Sequence, residues 1–404
     1  MDLRIHPSPL SGTVTPPPSK SMAHRLLIAA ALAEGKSRIE NIAFSKDIEA
    51  TLRCMELLGC RWQRDGDAIT LQGRCADLPA QPFPHLDCGE SGSTLRFLIP
   101  VALALRGGAS FTGHGRLMER PQQPYFDLFE EKGIAYELQG GVLTVRGQLT
   151  PGVYSLPGNV SSQFFTGLLF ALSLLDEPST IRSTTPLESA DYVTMTIDAM
   201  AAAGVEAKKV DERTFTVIPT PYRPFTETVE ADWSQAAFWY AAAFLDHPLV
   251  PTGLASDSAQ GDKVISQLYW RLARPGDAEI DLSGYPDLLP PLAVMAGARH
   301  GTTDFTGAAR LRMKESDRLA TVAAVLTSLG ITCTERPDGL TVTGGAFTGG
   351  TVDGANDHRI VMAAAIAATR ASSPVTILGA EAVSKSYPNF FEEFSRLGGE
   401  FDVL

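Results

Sequence analysis

One arrangement of apolar and polar positions recurs along the chain: an amphipathic helical run ends at a glycine, and a short alternating hairpin follows. Its copies are MELLGCRWQRDGDAITLQG from Met55, LFEEKGIAYELQGGVLTVRG from Leu128, AMAAAGVEAKKVDERTFTVIP from Ala199 and VLTSLGITCTERPDGLTVTGG from Val325, with a partial copy, FSRLGGEFDVL, at 394–404. Glycine ends helices well because it adopts the left-handed conformation, and alternation over a few residues is typical of half-buried strands.

The copies are spaced by about 70 residues or a multiple of that, and self-similarity at a fixed period indicates a repeat architecture. A second piece, a strand that enters a polar loop, recurs as GKSRIENIAFSKD, GASFTGHGRLMERP, PSTIRSTTPLES, GTTDFTGAARLRMKESD and SPVTILGAEAVSKS. We therefore predict an α/β fold of six units, each with strands and two helices. The alternative is a coincidence among ordinary α/β hairpins.

Two proline-rich stretches, at 16–18 and 219–225, interrupt the repeats. Proline fixes φ and removes a backbone donor, so both stretches are predicted to be linkers. Two linkers in one chain predict that it starts in one domain, builds a second and then returns. We assign 1–18 with 231–404 to the first domain and 19–230 to the second, and expect the ligand site in the cleft between them.

Composition narrows the functional classes. The 404 residues are 44% hydrophobic and 20% charged, enough apolar sequence for two domains or three. Lys plus Arg number 34 against 46 Asp plus Glu, a net charge of −12. That balance argues against a nucleic-acid partner, which needs a basic face, but small anionic ligands remain compatible with a locally cationic cleft.

The sequence predicts neither a membrane-spanning segment nor a secretory signal. Its apolar run GLLFALSLL, at 167–175, is about half the length that spans a bilayer, and the first residues contain no apolar signal core. Five cysteines form no CxxC pair, so neither a disulfide framework nor a zinc site is predicted. We expect a cytoplasmic protein without a membrane partner.

The loop PPPSKSMAHR enters a clear helical run and carries the first candidate site. Lys20 and Ser21 lie at the helix start and Arg25 follows one turn later. Backbone amides at a helix N-terminus, together with Lys and Ser, bind anions. The glycines of a nucleotide-binding loop are missing, and Ser19 is explained equally well as an N-cap.

Two further loops combine glycine with arginine. In DCGESGSTLRF, Gly89 and Gly92 allow a ligand to approach the backbone before Arg96, although a glycine-rich turn before a helix is common. In GHGRLMERP, Arg116 and Arg120 lie four residues apart. Two guanidiniums beside glycines favour a carboxylate or phosphate clamp over surface salt bridges.

Hydroxyl side chains mark two more helix starts. Ser161, Ser162 and Gln163 lie where a Gly-Asn turn enters a long apolar helix. Three neutral donors there suit an oxyanion, whereas simple capping explains one serine well and three donors less well. Ser189 and Tyr192 occupy the equivalent position in the next unit, with capping as an equal alternative.

The second half supplies carboxylates. Asp287 lies between a proline and an apolar helix, where partial desolvation would let it act as a base, the alternative being an N-cap. In RMKESDR, Glu315 is next to Lys314, and Lys314 and Arg318 are predicted to share a helical face. Like charges at that spacing repel, so they require an anion between them or a partner such as Asp317.

Three other basic residues precede or follow apolar helices: His358, Arg359 and Lys385. His358 could also be a buried structural histidine, and Lys385 alone could be a surface lysine. If the unit-entry loops face one cleft, that cleft is strongly cationic and contains two carboxylates. Such a site fits two anionic substrates and proton transfer. The sequence has no metal-ligand spacing, no GxSxG elbow and no Rossmann fingerprint, so no metal and no cofactor are predicted.

In combination, these motifs resemble a known family. SKSMAHR, GRLMERP, GNVSSQF, YPDLLP, KESDR, NDHR and the Lys385 loop follow the order and spacing of 5-enolpyruvylshikimate-3-phosphate synthases over essentially the whole chain. The resemblance implies two domains of three βαβαββ units each, an inside-out α/β barrel that closes on its substrates. It also implies transfer of the enolpyruvyl group of phosphoenolpyruvate to the 5-hydroxyl of shikimate 3-phosphate, a step of aromatic amino acid biosynthesis.

Site roles follow from the same resemblance. It implies that Asp287 is the base, Glu315 the acid and Lys20 a contact to both substrates. The residues implied to hold shikimate 3-phosphate are Lys20, Ser21, Arg25, Ser161, Ser162, Gln163, Ser189, Tyr192, Asp287 and Lys314. Those implied to hold phosphoenolpyruvate are Lys20, Gly92, Arg116, Gln163, Arg318, Arg359 and Lys385.

Two positions depart from the family pattern: Glu90 and Arg310 stand where the family frequently carries Asn. Gly92 matches a residue associated with sensitivity to the herbicide glyphosate, and Glu90 nearby puts that sensitivity in question.

Three alternatives stay open. UDP-N-acetylglucosamine enolpyruvyl transferases share the fold and donor but carry a reactive Cys on the loop that corresponds to 113–121. A catalytically silent metabolite-binding relative would not need Asp287, Glu315 and Lys20. A structural repeat scaffold would not place cations at unit entries. A monomer is expected.

Overall fold

The structure is a computed structural model that describes residues 1–73 and 83–404. Twelve α-helices lie in the described chain: α1 (Lys20–Leu32), α2 (Lys46–Leu57), α3 (Gly92–Arg106), α4 (Gln123–Lys132), α5 (Gln163–Leu172), α6 (Ala190–Ala202), α7 (Trp233–Phe244), α8 (Ile265–Leu272), α9 (Leu289–Ala298), α10 (Arg318–Ser328), α11 (His358–Ala368) and α12 (Phe390–Arg396).

The same described residues form 22 strands: β1 (Leu3–His6), β2 (Gly12–Val14), β3 (Gly35–Glu40), β4 (Arg61–Asp65), β5 (Ala68–Gly73), β6 (His85–Asp87), β7 (Gly108–Thr112), β8 (Ala135–Gln139), β9 (Val142–Arg146), β10 (Val153–Leu156), β11 (Ser179–Ser183), β12 (Ala207–Lys209), β13 (Thr214–Val217), β14 (Thr226–Thr228), β15 (Leu249–Pro251), β16 (Ala278–Asp281), β17 (Thr302–Thr306), β18 (Thr332–Arg336), β19 (Gly339–Thr343), β20 (Gly350–Asp353), β21 (Val375–Leu378) and β22 (Glu400–Val403).

Five four-stranded sheets share one strand arrangement, in which a parallel pair is followed by two antiparallel strands; these two strands form a hairpin in four of the sheets and come from the two ends of the chain, β1 and β22, in the fifth. The sheet β10-β11-β13-β12 is typical: β10 and β11 are parallel, β11 and β13 antiparallel, and β12 completes the hairpin with β13. The other orders are β14-β3-β5-β4, β6-β7-β9-β8, β16-β17-β19-β18 and β20-β21-β1-β22. Together with two helices, each sheet forms the predicted βαβαββ unit.

The sixth unit is shorter than the repeat predicts. Its strands β2 and β15 pair in parallel and are accompanied by α7 and α8, but among the described residues no hairpin joins their sheet. The chain between the end of α8 at Leu272 and the start of β16 at Ala278 is too short to form two strands.

The chain divides into two compact units. Unit 1 comprises Met1–Pro17 with Ala231–Leu404, and unit 2 comprises Pro18–Glu230. Backbone hydrogen bonds lie beside the two points where the polypeptide passes from one unit to the other. The N–H of Asp232 donates to the carbonyl of Pro17 at 2.8 Å in unit 1, and the N–H of Ser19 donates to the carbonyl of Glu230 at 2.7 Å in unit 2. The proline-rich stretch at 219–225 lies within unit 2 and leads into β14, so it is not itself the linker.

Within each unit, the first helix of a repeat is buried and the second is amphipathic. Every residue of α11 is buried, and nine of the ten residues of α5 are. Helices that are apolar all round lie in the interior. In unit 1, the buried helices α7, α9 and α11 contact one another. The start of α11, like the starts of the buried helices α1, α3 and α5, carries candidate site residues.

Two findings bear on the predictions from composition. No helix in residues 1–73 and 83–404 is long and apolar enough to cross a membrane. Cys54, Cys60 and Cys88 are buried cysteines and Cys333 is a partly buried one, whereas Cys75 lies outside the described residues.

Candidate active site

In unit 2, the start of α1 carries Lys20, whose Nζ lies 2.7 Å from Asp47 Oδ2. Ser19 is the N-cap of this helix, because its Oγ accepts a hydrogen bond from the backbone N–H of Met22. The capping explanation of Ser19 is therefore correct. Ser21 follows in the first turn and is partly exposed. Sequence analysis missed Asp47, which comes from α2, because no local pattern connects it with Lys20.

Arg25 is buried in an unusual setting, with only 2% of the residue exposed. Its Nε donates to Thr196 Oγ1 at 2.9 Å, its Nη1 to the carbonyl of Ser21 at 2.7 Å, and its Nη2 to the carbonyl of Tyr192 at 2.9 Å and to Thr166 Oγ1 at 3.3 Å. All four acceptors are neutral oxygens. Burial lowers the pKa of the guanidinium to about 10. A buried cation held only by dipoles favours the arrival of an anion.

The start of α3 is packed against an arginine. A Cβ atom built on Gly92 would lie 2.7 Å from Arg120 Nη1, so the Arg120 guanidinium lies directly on this glycine. Arg120 is 7% exposed. Arg116, by contrast, has a side chain that is 46% exposed and lies 3.8 Å from Glu119. The two arginines of one predicted clamp therefore occupy different environments.

Gln163 connects the starts of α5 and α3. Its Oε1 accepts from Arg96 Nη1 at 2.9 Å, and its Nε2 donates to Ser93 Oγ at 3.0 Å. The Arg96 guanidinium also lies 4.9 Å from the ring centre of Phe164. Both functional groups of Gln163 are thus held in fixed orientations.

The three candidate serines differ in what their hydroxyls do. Ser161 Oγ accepts from the backbone N–H of Gln163 at 3.3 Å, which is local capping. Ser162 is the N-cap of α5, but its side chain makes no capping hydrogen bond. Ser189 is buried before α6 with a φ of 53°, a left-handed conformation that is costly for any residue with a Cβ. Capping thus explains Ser161, and backbone strain at Ser189 indicates a functional constraint.

In unit 1, Arg318 is the centre of an ionic cluster. It is 1% exposed and begins α10. Its Nη1 donates to Asp287 Oδ1, its Nη2 to Glu315 Oε2 and its Nε to Asp357 Oδ2, each at 2.7 Å. Burial alone would lower the pKa of this guanidinium, but the three carboxylates outweigh burial and raise the pKa above its ordinary value.

Asp287 lies in a short 3-10 helix, Pro286–Leu288, directly before α9. The N-cap position of α9 belongs to Leu288, so the alternative of Asp287 as a cap is wrong. Arg359 Nη2 donates to Asp287 Oδ2 at 3.1 Å, and Lys314 Nζ lies 3.5 Å from Oδ1. Burial alone would raise the pKa of this carboxyl, but the surrounding cations hold it well below its ordinary value.

The predicted helical face shared by Lys314 and Arg318 does not exist. Lys314 follows the 3-10 helix Ala309–Met313 in an extended conformation, and α10 begins only at Arg318 because Asp317 is its N-cap. The carboxylate between the two cations is that of Asp287, whereas Asp317 accepts from Arg312 Nη1 at 3.0 Å. Sequence reasoning treated a turn as a helix and so paired the wrong acid.

Burial also acts on Lys314. It lowers the pKa of the ammonium group to about 8, although Asp287 nearby opposes the shift. Glu315, on the next residue, has a side chain that is 18% exposed. The cluster therefore holds a partly buried lysine and two carboxylates within reach of one guanidinium.

The start of α11 and the loop before it place two further basic residues, Arg359 and Lys385. Arg359 Nη2 also donates to Ser234 Oγ at 2.9 Å. Lys385 is buried and donates to the carbonyl of Asn356 at 2.6 Å, so it is not a surface lysine. Ala355 and Asn356 both have a φ of 50°, two consecutive residues in the strained left-handed region.

The three remaining candidates are also placed. A Cβ atom on Gly115 would lie 2.7 Å from Glu90 Oε2, so this carboxylate packs against the loop of Arg116. Arg310 is 7% exposed and donates from Nη2 to the carbonyl of Ser283. His358 is 2% exposed at the start of α11.

The residues that sequence analysis missed in unit 1 are Asp357 and Ser234. Asp357 is fully buried and is the N-cap of α11, accepting from the backbone N–H of Arg359 at 3.0 Å. The available signal was an Asp directly before an apolar helical run, which predicts a cap. Within residues 1–73 and 83–404, no group of three or more His, Cys, Asp or Glu side chains is arranged to hold a metal ion.

Comparisons with known proteins show the family of the chain. The family model described as EPSP synthase (3-phosphoshikimate 1-carboxyvinyltransferase) matches residues 5–394. A 3-phosphoshikimate 1-carboxyvinyltransferase of Clostridium acetobutylicum is 43% identical, over 98% of this chain and 97% of the relative. The same-named protein of Clostridioides difficile is 39% identical, over 99% of this chain and 98% of the relative. The chain belongs to the EPSP synthase family.

Solved structures agree on the fold. The EPSP synthase of Acinetobacter baumannii superposes with a TM-score of 0.80 at 24% identity, over 100% of both chains. The enolpyruvyl transferase NikO of Streptomyces tendae superposes with the same TM-score at 19% identity, over 99% of this chain and 98% of that one. The prediction of a two-domain α/β fold of this family is confirmed. As a member of the EPSP synthase family, the chain is a transferase of the shikimate pathway.

Proposed function

We propose that this enzyme transfers the enolpyruvyl group of phosphoenolpyruvate to the 5-hydroxyl of shikimate 3-phosphate and releases phosphate. The observation that carries the proposal is the Arg318 cluster, in which two carboxylates, Asp287 and Glu315, lie on one buried guanidinium beside Lys314. Such a cluster offers both proton transfer and charge stabilisation of an anionic substrate.

Shikimate 3-phosphate is assigned mainly to unit 2. Arg25 and Ser21 would hold its carboxylate, and Ser161, Ser162 and Ser189 its phosphate. The neutral surroundings of Arg25 support this assignment, because a bound carboxylate would supply the charge that the protein does not. The contacts completing the set are assigned to Lys20, Gln163, Tyr192, Asp287 and Lys314.

Phosphoenolpyruvate carries a carboxylate and a phosphate and is assigned mainly to cationic side chains. Residues proposed to contact it are Lys20, Gly92, Arg116, Gln163, Arg318, Arg359 and Lys385. We add Arg120, since its buried guanidinium lies against Gly92, whereas Arg116 is largely solvated. A desolvated guanidinium binds phosphate or carboxylate more strongly than an exposed one.

The reaction replaces the phosphate on C2 of phosphoenolpyruvate by the acceptor oxygen and keeps the double bond, so it requires an addition followed by an elimination. In the addition, Asp287 takes the proton of the 5-hydroxyl while Glu315, which enters this step in its protonated form, gives a proton to the methylene carbon. In the elimination, that carbon returns a proton to Glu315 and phosphate leaves with the proton held by Asp287. Each carboxyl group ends in its starting state.

The low pKa of Asp287 fits this role only when substrates are bound. Before binding, the surrounding cations keep the carboxylate ionised but weakly basic. Anionic substrates on Arg359 and Lys314 neutralise those cations, which removes the cause of the depression. Substrate binding thus raises the basicity of Asp287 at the moment when a base is needed.

The test is phosphate release from phosphoenolpyruvate with shikimate 3-phosphate, measured beside UDP-N-acetylglucosamine as acceptor. Release only with the shikimate ester is expected. Release only with the sugar nucleotide would assign the chain to the sister reaction, and no release with either acceptor would make it a metabolite-binding relative. The monomeric state and the cytoplasmic location remain predictions, which sedimentation and cell fractionation would check.

A further inference from the structure

Ser234 is the second residue of α7, and its hydroxyl contacts the guanidinium of Arg359. It is 5% exposed. Its Oγ donates to Asp232 Oδ1 at 2.6 Å and accepts from Arg359 Nη2 at 2.9 Å.

The direction of these hydrogen bonds is fixed by proton counting. A serine hydroxyl has one proton, and Ser234 gives it to the carboxylate of Asp232. Asp232 cannot rotate freely, because the same Oδ1 is the N-cap of α7 and accepts from the backbone N–H of Gln235 at 3.0 Å. The lone pairs of Ser234 are therefore left for Arg359, whose guanidinium can only donate.

Arg359 Nη2 is in turn shared between Ser234 and Asp287 Oδ2, which lies 3.1 Å away. A series of hydrogen bonds thus connects the N-cap of α7, Asp232, with the proposed base, Asp287. It passes through the buried side chains of Ser234 and Arg359. The series begins close to the point where the polypeptide returns from unit 2 to unit 1, since the backbone N–H of Asp232 donates to the carbonyl of Pro17.

We propose that Ser234 is a positioning residue that orients Arg359 for phosphoenolpyruvate. The inference rests on the proposed function, because it takes Arg359 as a phosphoenolpyruvate contact. Ser234 itself touches no reacting atom. Its removal leaves Arg359 and Asp287 in place but allows the guanidinium to swing, so affinity for the donor falls more than the turnover rate does.

The first experiment compares Ser234→Ala with Ser234→Thr in the full chain, under saturating shikimate 3-phosphate. A hydrogen bond to a charged group is lost in the alanine variant, so KM for phosphoenolpyruvate is expected to rise about tenfold with kcat within about twofold. The threonine variant keeps the hydroxyl and is expected to restore KM. Ser8→Ala is the matched control, because Ser8 is also a buried serine of unit 1 but its hydrogen bonds in the described part of the chain are to His6 and Glu400.

The second experiment is a double-mutant cycle with Arg359→Ala, which separates positioning from a merely structural role. If Ser234 acts through Arg359, adding Ser234→Ala to Arg359→Ala changes KM for phosphoenolpyruvate no further. The same rise in both backgrounds would overturn the proposal, as would an unchanged KM in Ser234→Ala when Arg359→Ala raises it. If neither variant changes KM, the assignment of Arg359 in the proposed function is wrong, and the positioning role is overturned with it.

Discussion

The two compact units hold their buried arginines in opposite electrostatic settings. The acceptors of Arg25 in unit 2, among the residues that the structure describes, are all neutral oxygens, and burial lowers its pKa to about 10. Arg318 in unit 1 is surrounded by three carboxylates that raise its pKa. An uncompensated cation is suited to hold an anion, whereas a cation that already pairs with carboxylates controls their protonation. We therefore propose that unit 2 mainly binds substrate and that unit 1 carries the proton chemistry.

The largest effect is expected from replacing Glu315, the proposed acid in unit 1. Glu315→Gln keeps the side-chain volume but cannot supply the proton, so kcat is expected to fall by about 10²–10⁴-fold with substrate binding largely intact. Steady-state phosphate release and calorimetric titration measure the two quantities. Glu279→Gln, at an exposed position of β16, is the control and should behave as the parent protein. A near-normal rate in Glu315→Gln would remove this carboxyl from the mechanism.

The second prediction concerns stability and sets the two arginines against each other. Arg318→Met leaves Asp357, which is fully buried, without its cation, and breaking a buried pair costs about 3–5 kcal/mol. Arg25→Met leaves neutral acceptors without their donor, which lowers the free energy of unfolding by about 1–3 kcal/mol. Denaturant unfolding followed by circular dichroism gives both values. Equal losses in the free energy of unfolding would contradict the difference between the two settings.

A third prediction separates the arginines of the GRLMERP loop. Arg120→Ala is expected to raise KM for phosphoenolpyruvate about tenfold, since it removes a buried guanidinium that lies on Gly92. Arg116→Ala removes an exposed one and is expected to change KM by about twofold or less. The reverse order, measured under identical conditions, would show that Arg116 is the clamp.

The smallest predicted signal is a proton taken up on binding. Lys314 has a pKa of about 8 before substrates bind, so part of the population is neutral at slightly alkaline pH. A bound anion favours the charged form and raises this pKa, so protons are absorbed at pH values between the free and bound pKa. Calorimetry in two buffers of different ionisation enthalpy counts them. Lys314→Arg should abolish the uptake, and an unchanged proton count in that variant would exclude Lys314 as its source.

Local signals in the sequence predicted much of this fold. Glycines at helix ends, such as Gly133 and Gly204, and the hairpins after them marked the repeats, because both effects act within a few residues. The sixth unit was predicted in full, but within residues 1–73 and 83–404 no hairpin joins its sheet, and the only sign of this is the short segment between α8 and β16. The helix starts that carry Lys20, Gln163 and Arg359 were located correctly for the same local reason.

The Arg318 cluster could not be read from the sequence, because its partners are distant in the chain. Asp287 and Asp357 lie on opposite sides of Arg318 in sequence and meet only when α9, α10 and α11 pack. Sequence reasoning supplied the nearest acid, Asp317, and extended a helix through Lys314. It overlooked Asp357, since an N-cap carboxylate gives no sign that it also binds a guanidinium.

The division between a binding unit and a chemical unit is tested most directly by one paired measurement on Arg25→Met and Asp287→Asn: the affinity for shikimate 3-phosphate and kcat at saturating substrates. The account predicts that Arg25→Met binds at least about tenfold more weakly but keeps most of its kcat. It predicts that Asp287→Asn keeps its affinity within a few-fold and loses about 10²-fold or more in kcat. Normal affinity in Arg25→Met together with lost binding in Asp287→Asn would contradict it.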